Sequence, residues 1–124
     1  MPGKKIYILL VLLCFKFYSY SQSCDDLMEY VKKEGGFGTS YSSYNSDFIS
    51  KVTFYDIYID YKQLYFAVVC LKSKSSFGCK EYLYQVGSNT KLNYAFHYLD
   101  SAGKAFWNYI QPHAENLNCS PRFE

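Results

Sequence analysis

The sequence predicts an α+β fold: an N-terminal helix, a small antiparallel sheet of three to four strands, then a helix and a short terminal helical segment packed on the sheet. Three observations predict it. Apolar residues recur at helical spacing near residue 27 and again past residue 90, whereas two-residue alternation fills the middle of the chain. Fifteen tyrosines and ten phenylalanines in 124 residues supply the aromatic side chains that suit a pleated, half-buried surface.

The start of the chain has a different character. Lys4 and Lys5 precede an apolar run over 6–15, and small residues stand at Ser19 and Ser21, the three-part pattern of a signal peptide. A membrane anchor needs roughly 20 apolar residues, and Lys16 interrupts this run. Lipidation of Cys24 is a further alternative, but Ser21-Gln22-Ser23 lacks the leucine and small-residue approach that such processing favours. Residues 1–21 are therefore expected to be removed after Ser21, and the product is expected to be secreted or periplasmic and monomeric. Its contact with a membrane is confined to the cleaved segment. Removal takes away Lys4, Lys5 and Lys16 and no acid, leaving ten basic groups against eleven acidic. Nucleic-acid binding draws most of its affinity from clustered Lys and Arg, so a nucleic-acid partner is not expected.

Four cysteines remain after processing, Cys24, Cys70, Cys79 and Cys119, and an even number in an exported chain reads as a disulfide framework. Of the three pairings, Cys70 with Cys79 across a hairpin and Cys24 with Cys119 between the ends of the chain are preferred. A zinc site is the alternative, but no Cys-x-x-Cys or paired-histidine spacing is present.

Along the mature chain, Ser23 and Asp26 look like a capping box for a helix over 24–33, with Leu27, Met28, Tyr30 and Val31 as its apolar stripe. Asp25, Asp26 and Glu29 then read as first-turn acids that complement the helix dipole. Residues 35–46, rich in Gly, Ser, Tyr and Asn, read as an extended surface connector. The stretch 49–61 alternates, with Tyr55, Ile57, Ile59 and Tyr61 on one face, and forms one strand or two with a turn. A continuous apolar run over 64–71, a turn over 72–78 and alternation over 80–86 complete the sheet. Past a break at 87–90, Leu92, Ala95, Phe96 and Leu99 mark a helix over 91–100. Gly103 is expected to take a left-handed turn, and a short helical piece over 105–110 to be closed by Pro112. Residues 114–124 form a tail held by Cys119.

The segment 46–113 carries two short motifs in order: Tyr82-Leu83-Tyr84 followed by Val86, and Ser101-Ala102-Gly103-Lys104-Ala105-Phe106 with Ile110. In these it resembles the KTSC domain, a small module found at the end of some lysyl-tRNA synthetases and alone in bacterial proteins. Ile49, Val52 and Phe54 match its opening strand more loosely. The stretch 55–63 is longer than the family pattern, and the cysteines, the first helix and the tail lie outside it. The resemblance implies a few antiparallel strands followed by a helix, and it implies no established activity.

No phosphate loop, zinc-protease motif or calcium loop occurs, and no cofactor is expected. Gly35-Gly36-Phe37-Gly38 follows a helix rather than a strand and fails as a phosphate site on context. His97 and His113, the only histidines, stand beside no nucleophile signature. Tyr82 and Tyr84 share a strand face and are either a stacking platform or core. Lys104, Trp107 and Asn108 are the candidate ligand-binding residues beside the Ser-x-Gly turn. The expected function is a non-enzymatic module binding a peptide, protein or glycan through an aromatic surface. The alternatives are a small cell-envelope enzyme using His97 or His113 and an accessory structural domain. Mass spectrometry of the exported protein is expected to find Gln22 as the first residue; a chain still beginning at Met1, with its thiols reduced, contradicts the signal-peptide reading.

Overall fold

The two inner strands of the sheet are buried on both sides over much of their length, and the rest of the chain is arranged to cover them. A computed structural model describes residues 20–73 and 78–123. The expected signal peptide, apart from Tyr20 and Ser21, and the middle of the 72–78 turn lie outside these residues. The elements are α1 (Tyr20–Glu34), β1 (Thr39–Ser42), β2 (Ile49–Ile59), β3 (Lys62–Lys72), β4 (Cys79–Val86), α2 (Thr90–His97) and α3 (Ala102–Ala105). After α3 the chain continues helically as a π turn, Phe106–Ile110, and a 3-10 stretch, Gln111–Asn116. The four strands are antiparallel, in the order β1-β2-β3-β4, which agrees with the fold class read from the sequence.

The front face carries Val52 and Phe54 of β2, Ala67, Val69 and Leu71 of β3, and Tyr84 and Val86 of β4, packed against Tyr94 of α2 and Ala102, Ala105, Phe106 and Ile110 of the C-terminal helical run. The back face carries Tyr55, Ile57, Phe66, Val68 and Leu83, covered by Leu27, Met28 and Val31 of α1 and by Leu117. A register shift between Ile49 and Lys51 changes the parity of the strand, because a bulge adds one residue on one side. Ile49 therefore joins Val52 on the front. The two-sided burial explains why 64–71 is an unbroken apolar run rather than an alternating one.

Several boundaries differ from the expectation. The first helix starts at Tyr20, so Ser23 lies inside it rather than capping it, and no acid falls in its first turn. Tyr30 points away from the sheet. The connector over 35–46 contains β1, paired with residues 51–54 of β2. At four residues, with Tyr41 its single apolar side chain on the core, the strand is too short for its alternation to be read. The alternating stretch 49–61 ends at Ile59, and Ile59 pairs directly with Lys62. Asp60 and Tyr61 form the intervening two-residue turn with φ of 50° and 64°, the positive values that a tight hairpin demands. Neither residue is the glycine that usually announces it.

The second helix spans Thr90–His97, and its buried face is Thr90 and Tyr94, continued by Tyr98, rather than the stripe of Leu92, Phe96 and Leu99, all of which are exposed. Aromatic contacts decide this: Tyr94 packs on Phe54 at 5.7 Å and Tyr98 on Tyr41 at 5.1 Å between ring centres. Gly103 takes no left-handed turn; it lies inside α3. The break is made by Ser101, extended at φ −160°, whose hydroxyl accepts the Lys104 N–H, as an N-cap does. Pro112 does not close the helix. It sits at the start of the 3-10 stretch, where its missing N–H cannot serve an α-helical bond to Asn108. The Gln111 N–H instead reaches back five residues to Phe106, which produces the π turn.

The C-terminal segment wraps the outer edge of β4. Asn116 Nδ2 donates to the Gln85 carbonyl at 2.8 Å, and Leu117 reaches the back cluster. Such cover occupies an edge that otherwise invites pairing with another chain. The Cys24–Cys119 disulfide, with Cα atoms 5.7 Å apart, then joins this segment to α1, and Cys70–Cys79, at 5.2 Å, crosslinks β3 and β4. Gly38, at φ +65°, brings the chain after α1 so close to the sheet that a Cβ there meets Thr53 and Tyr55 at 2.8 Å. The Gly35–Gly38 cluster thus serves this approach.

The two bridges close loops with separations of 95 and 9 residues, so in the chain-entropy model they contribute about 4.5 and about 2.5 kcal/mol respectively. Urea denaturation of the paired variants Cys24→Ser/Cys119→Ser and Cys70→Ser/Cys79→Ser is expected to rank them in that order. The reverse order contradicts the assignment of the C-terminal wrap as the main crosslinked element.

Candidate functional site

The residues singled out from the sequence do not come together. Tyr84 is 1 % exposed; its ring meets Phe106 edge-on at 5.7 Å and its hydroxyl donates to Gln111 Oε1 at 3.1 Å. It is core, and its ring offers no stacking platform. Burial pushes its phenol well above the ordinary value; the Ser120 hydroxyl opposes that shift and Tyr82 adds to it. Tyr82 is half-buried beside the same cluster, with Lys80 Nζ 5.5 Å from its ring centre. Trp107 is part of an aromatic group with Phe48, stacked at 6.3 Å, and Phe123, edge-on at 4.8 Å. Lys104 and Asn108 are exposed, and Asn108 borders a different hollow from the one described below.

That second hollow, of about 310 Å³, lies between 87–93 and 108–113 and includes His113. His113 Nε2 is 3.4 Å from Thr90 Oγ1, which also accepts the Gly87 N–H at 3.1 Å. Thr90 is buried, so its oxygen closes the turn between β4 and α2 and His113 fastens the 3-10 stretch to it. His97 is exposed and stacks on Tyr109 at 5.3 Å. Among the described residues, no group of three or more His, Cys, Asp or Glu is placed to hold a metal ion. No helix there is long and apolar enough to cross a membrane.

A larger cleft that combines polar and aromatic groups is lined by none of the candidate residues. It lies between the β1–β2 loop, residues 42–47, and the α2–α3 connector, residues 98–103, and has a volume of about 350 Å³. The loop is shaped by Ser46, whose Oγ accepts the N–H groups of Phe48 and Ile49 at 3.2 and 2.9 Å, and whose carbonyl accepts from Lys72 Nζ. The connector is shaped by the Ser101 cap. Asp47 and Asp100 face the same space from opposite walls, and Tyr44 and Leu99, 91 % and 82 % exposed, stand at its mouth. The sequence signal was the tract Ser42-Ser43-Tyr44-Asn45-Ser46-Asp47, which has no periodicity and reads as linker.

Behind the cleft, Tyr94 is 0 % exposed. Its hydroxyl is directed at Ser43, a residue of the cleft wall, yet neither Tyr94 OH nor Ser43 Oγ closes a hydrogen bond with a partner in the structure. Burial raises the Tyr94 phenol from its ordinary 10.0 to about 12; the approach to Ser43 opposes the rise and Tyr98 adds to it. No family model, curated protein or solved structure matches the chain.

The folded state therefore retains a phenol proton that the unfolded chain releases near pH 10. Tyr94's contribution to stability is complete below that pH and is lost as the pH rises to about 12. Tyr94→Phe is expected to leave stability at pH 7 unchanged or raised by up to about 1 kcal/mol, because the hydroxyl it deletes has no partner. It is also expected to flatten the alkaline decline. Urea midpoints measured from pH 7 to 12 check both; a loss of more than about 2 kcal/mol at pH 7 contradicts the unpartnered assignment.

Proposed function

We propose that the mature chain is an extracytoplasmic, non-enzymatic binding module, and that it engages a peptide, protein or glycan where the β1–β2 loop meets the α2–α3 connector. One observation carries this reading: a polar cleft is bordered by large apolar side chains that the fold leaves in solvent. Tyr44 and Leu99 rim the cleft, and Phe96 and Leu92 continue along α2 at 73 % and 58 % exposure. Leu92, Phe96 and Leu99 repeat at helical spacing on one side of the helix, while Tyr94 and Tyr98 take the other. A contiguous apolar surface beside convergent polar groups is a common mark of a recognition site.

Address and family enter as support. The two disulfides belong to a chain that folds in an oxidising compartment, in keeping with residues 1–21 as an export signal. The likeness to the KTSC domain rests on two motifs that meet in the core, where Tyr84 contacts Phe106. A photo-crosslinking amino acid placed at Tyr44 or Leu99 in intact cells is expected to capture a partner that the same probe at Tyr58, exposed on a different element, does not. Equal labelling from all three positions, or none from Tyr44 and Leu99, overturns the assignment of this surface.

A further inference from the structure

Resting on the binding-module reading, we infer that the cleft between residues 42–47 and 98–103 takes a neutral saccharide. Its walls offer both donors and acceptors. Ser46 Oγ already accepts two backbone N–H groups, so its hydroxyl proton is what it has left, and Ser101 Oγ, which accepts one, keeps its proton and one lone pair. Asp47 and Asp100 only accept when ionised. A ligand whose every polar group both donates and accepts meets either set in any register, and that is the property of a sugar hydroxyl.

The inner wall adds an independent requirement. Ser43 Oγ and Tyr94 OH are buried, face each other and are both unpartnered, so each has a donor and an acceptor in reserve. Ser43 belongs to the cleft wall, and rotation about its Cα–Cβ bond turns the hydroxyl from Tyr94 towards a bound molecule. A ligand hydroxyl satisfies either capacity of Ser43, whereas an ammonium group supplies donors alone. The rim supplies the apolar half of the match: the Tyr44 ring stands free beside the cleft, and the C–H face of a pyranose packs on such a ring. Charge narrows the class further. Two carboxylates and no Lys, Arg or His line the cleft among the described residues, which disfavours acidic sugars.

The test uses the mature, disulfide-bonded protein and amide NMR titration with four probes: chitotetraose and maltotetraose as neutral saccharides, tetragalacturonate and tetralysine as charged comparators. A neutral tetrasaccharide is expected to shift the amides of Ser43, Tyr44, Asp100 and Ser101. Asp100→Asn and Tyr44→Ala, both at exposed positions, are expected to weaken that binding about tenfold, and Tyr58→Ala to leave it unchanged. Shifts at these amides with tetralysine or tetragalacturonate but not with either neutral sugar overturn the saccharide assignment while the binding surface stands. Absence of shifts with every probe overturns it as well, and the cross-linking result then decides separately whether the surface binds anything.

Discussion

Burial of β3 on both faces is the constraint on which the rest of this structure depends. A strand whose alternate side chains all leave water needs a cover on each side, and a chain of this size has few elements with which to make one. Here α1 covers the back and the run from α2 to the 3-10 stretch covers the front. The two covers lie at opposite ends of the sequence, so the chain must travel round the sheet to join them. It does so past β4, where Asn116 bonds to the strand edge and Cys119 bonds to α1. The long disulfide thus closes the path that the two-sided core makes necessary.

The front core is built largely of rings. Tyr41, Phe54, Tyr94 and Tyr98 form one group, and Phe48, Tyr84, Phe106, Trp107 and Phe123 another. Tyrosine brings a hydroxyl into places where phenylalanine brings none, and each buried hydroxyl needs a partner or carries a cost. Tyr84 finds Gln111. Tyr94 finds only an approach to Ser43, and that shortfall lies directly behind the cleft. The polar character of the cleft and the aromatic character of the core are connected through this one residue.

How much was legible depended on whether a side chain or the main chain did the deciding. The long apolar run of β3, the alternation of β2 and β4 and the order of elements were readable because side-chain burial writes a period into the sequence. The strand β1 was not, because its four residues bring only Tyr41 to the core and are too few to show a period. The Asp60-Tyr61 turn escaped notice because it meets the positive-φ requirement without glycine. The face of α2 was misread for a different reason: Leu92, Ala95, Phe96 and Leu99 are as periodic as Thr90, Tyr94 and Tyr98, and composition cannot rank two competing stripes. Of the candidate site residues, Tyr84 is core, Tyr82 is half-buried, and Lys104, Trp107 and Asn108 do not line the cleft, although the Lys104 N–H is bound to Ser101 in its wall.

The sequence by itself determined the α+β class, the sheet-forming middle and the likeness of an export segment. These depend on local periodicity and composition, which survive in one dimension. Only the tertiary structure decided which stripe of α2 faces solvent, that Tyr84 is sealed beneath the C-terminal helical run, and that a serine-rich loop meets Asp100 and Ser101 to make a cleft. Those outcomes depend on contacts between segments distant in the chain, and a juxtaposition of that kind leaves no periodic trace in either segment.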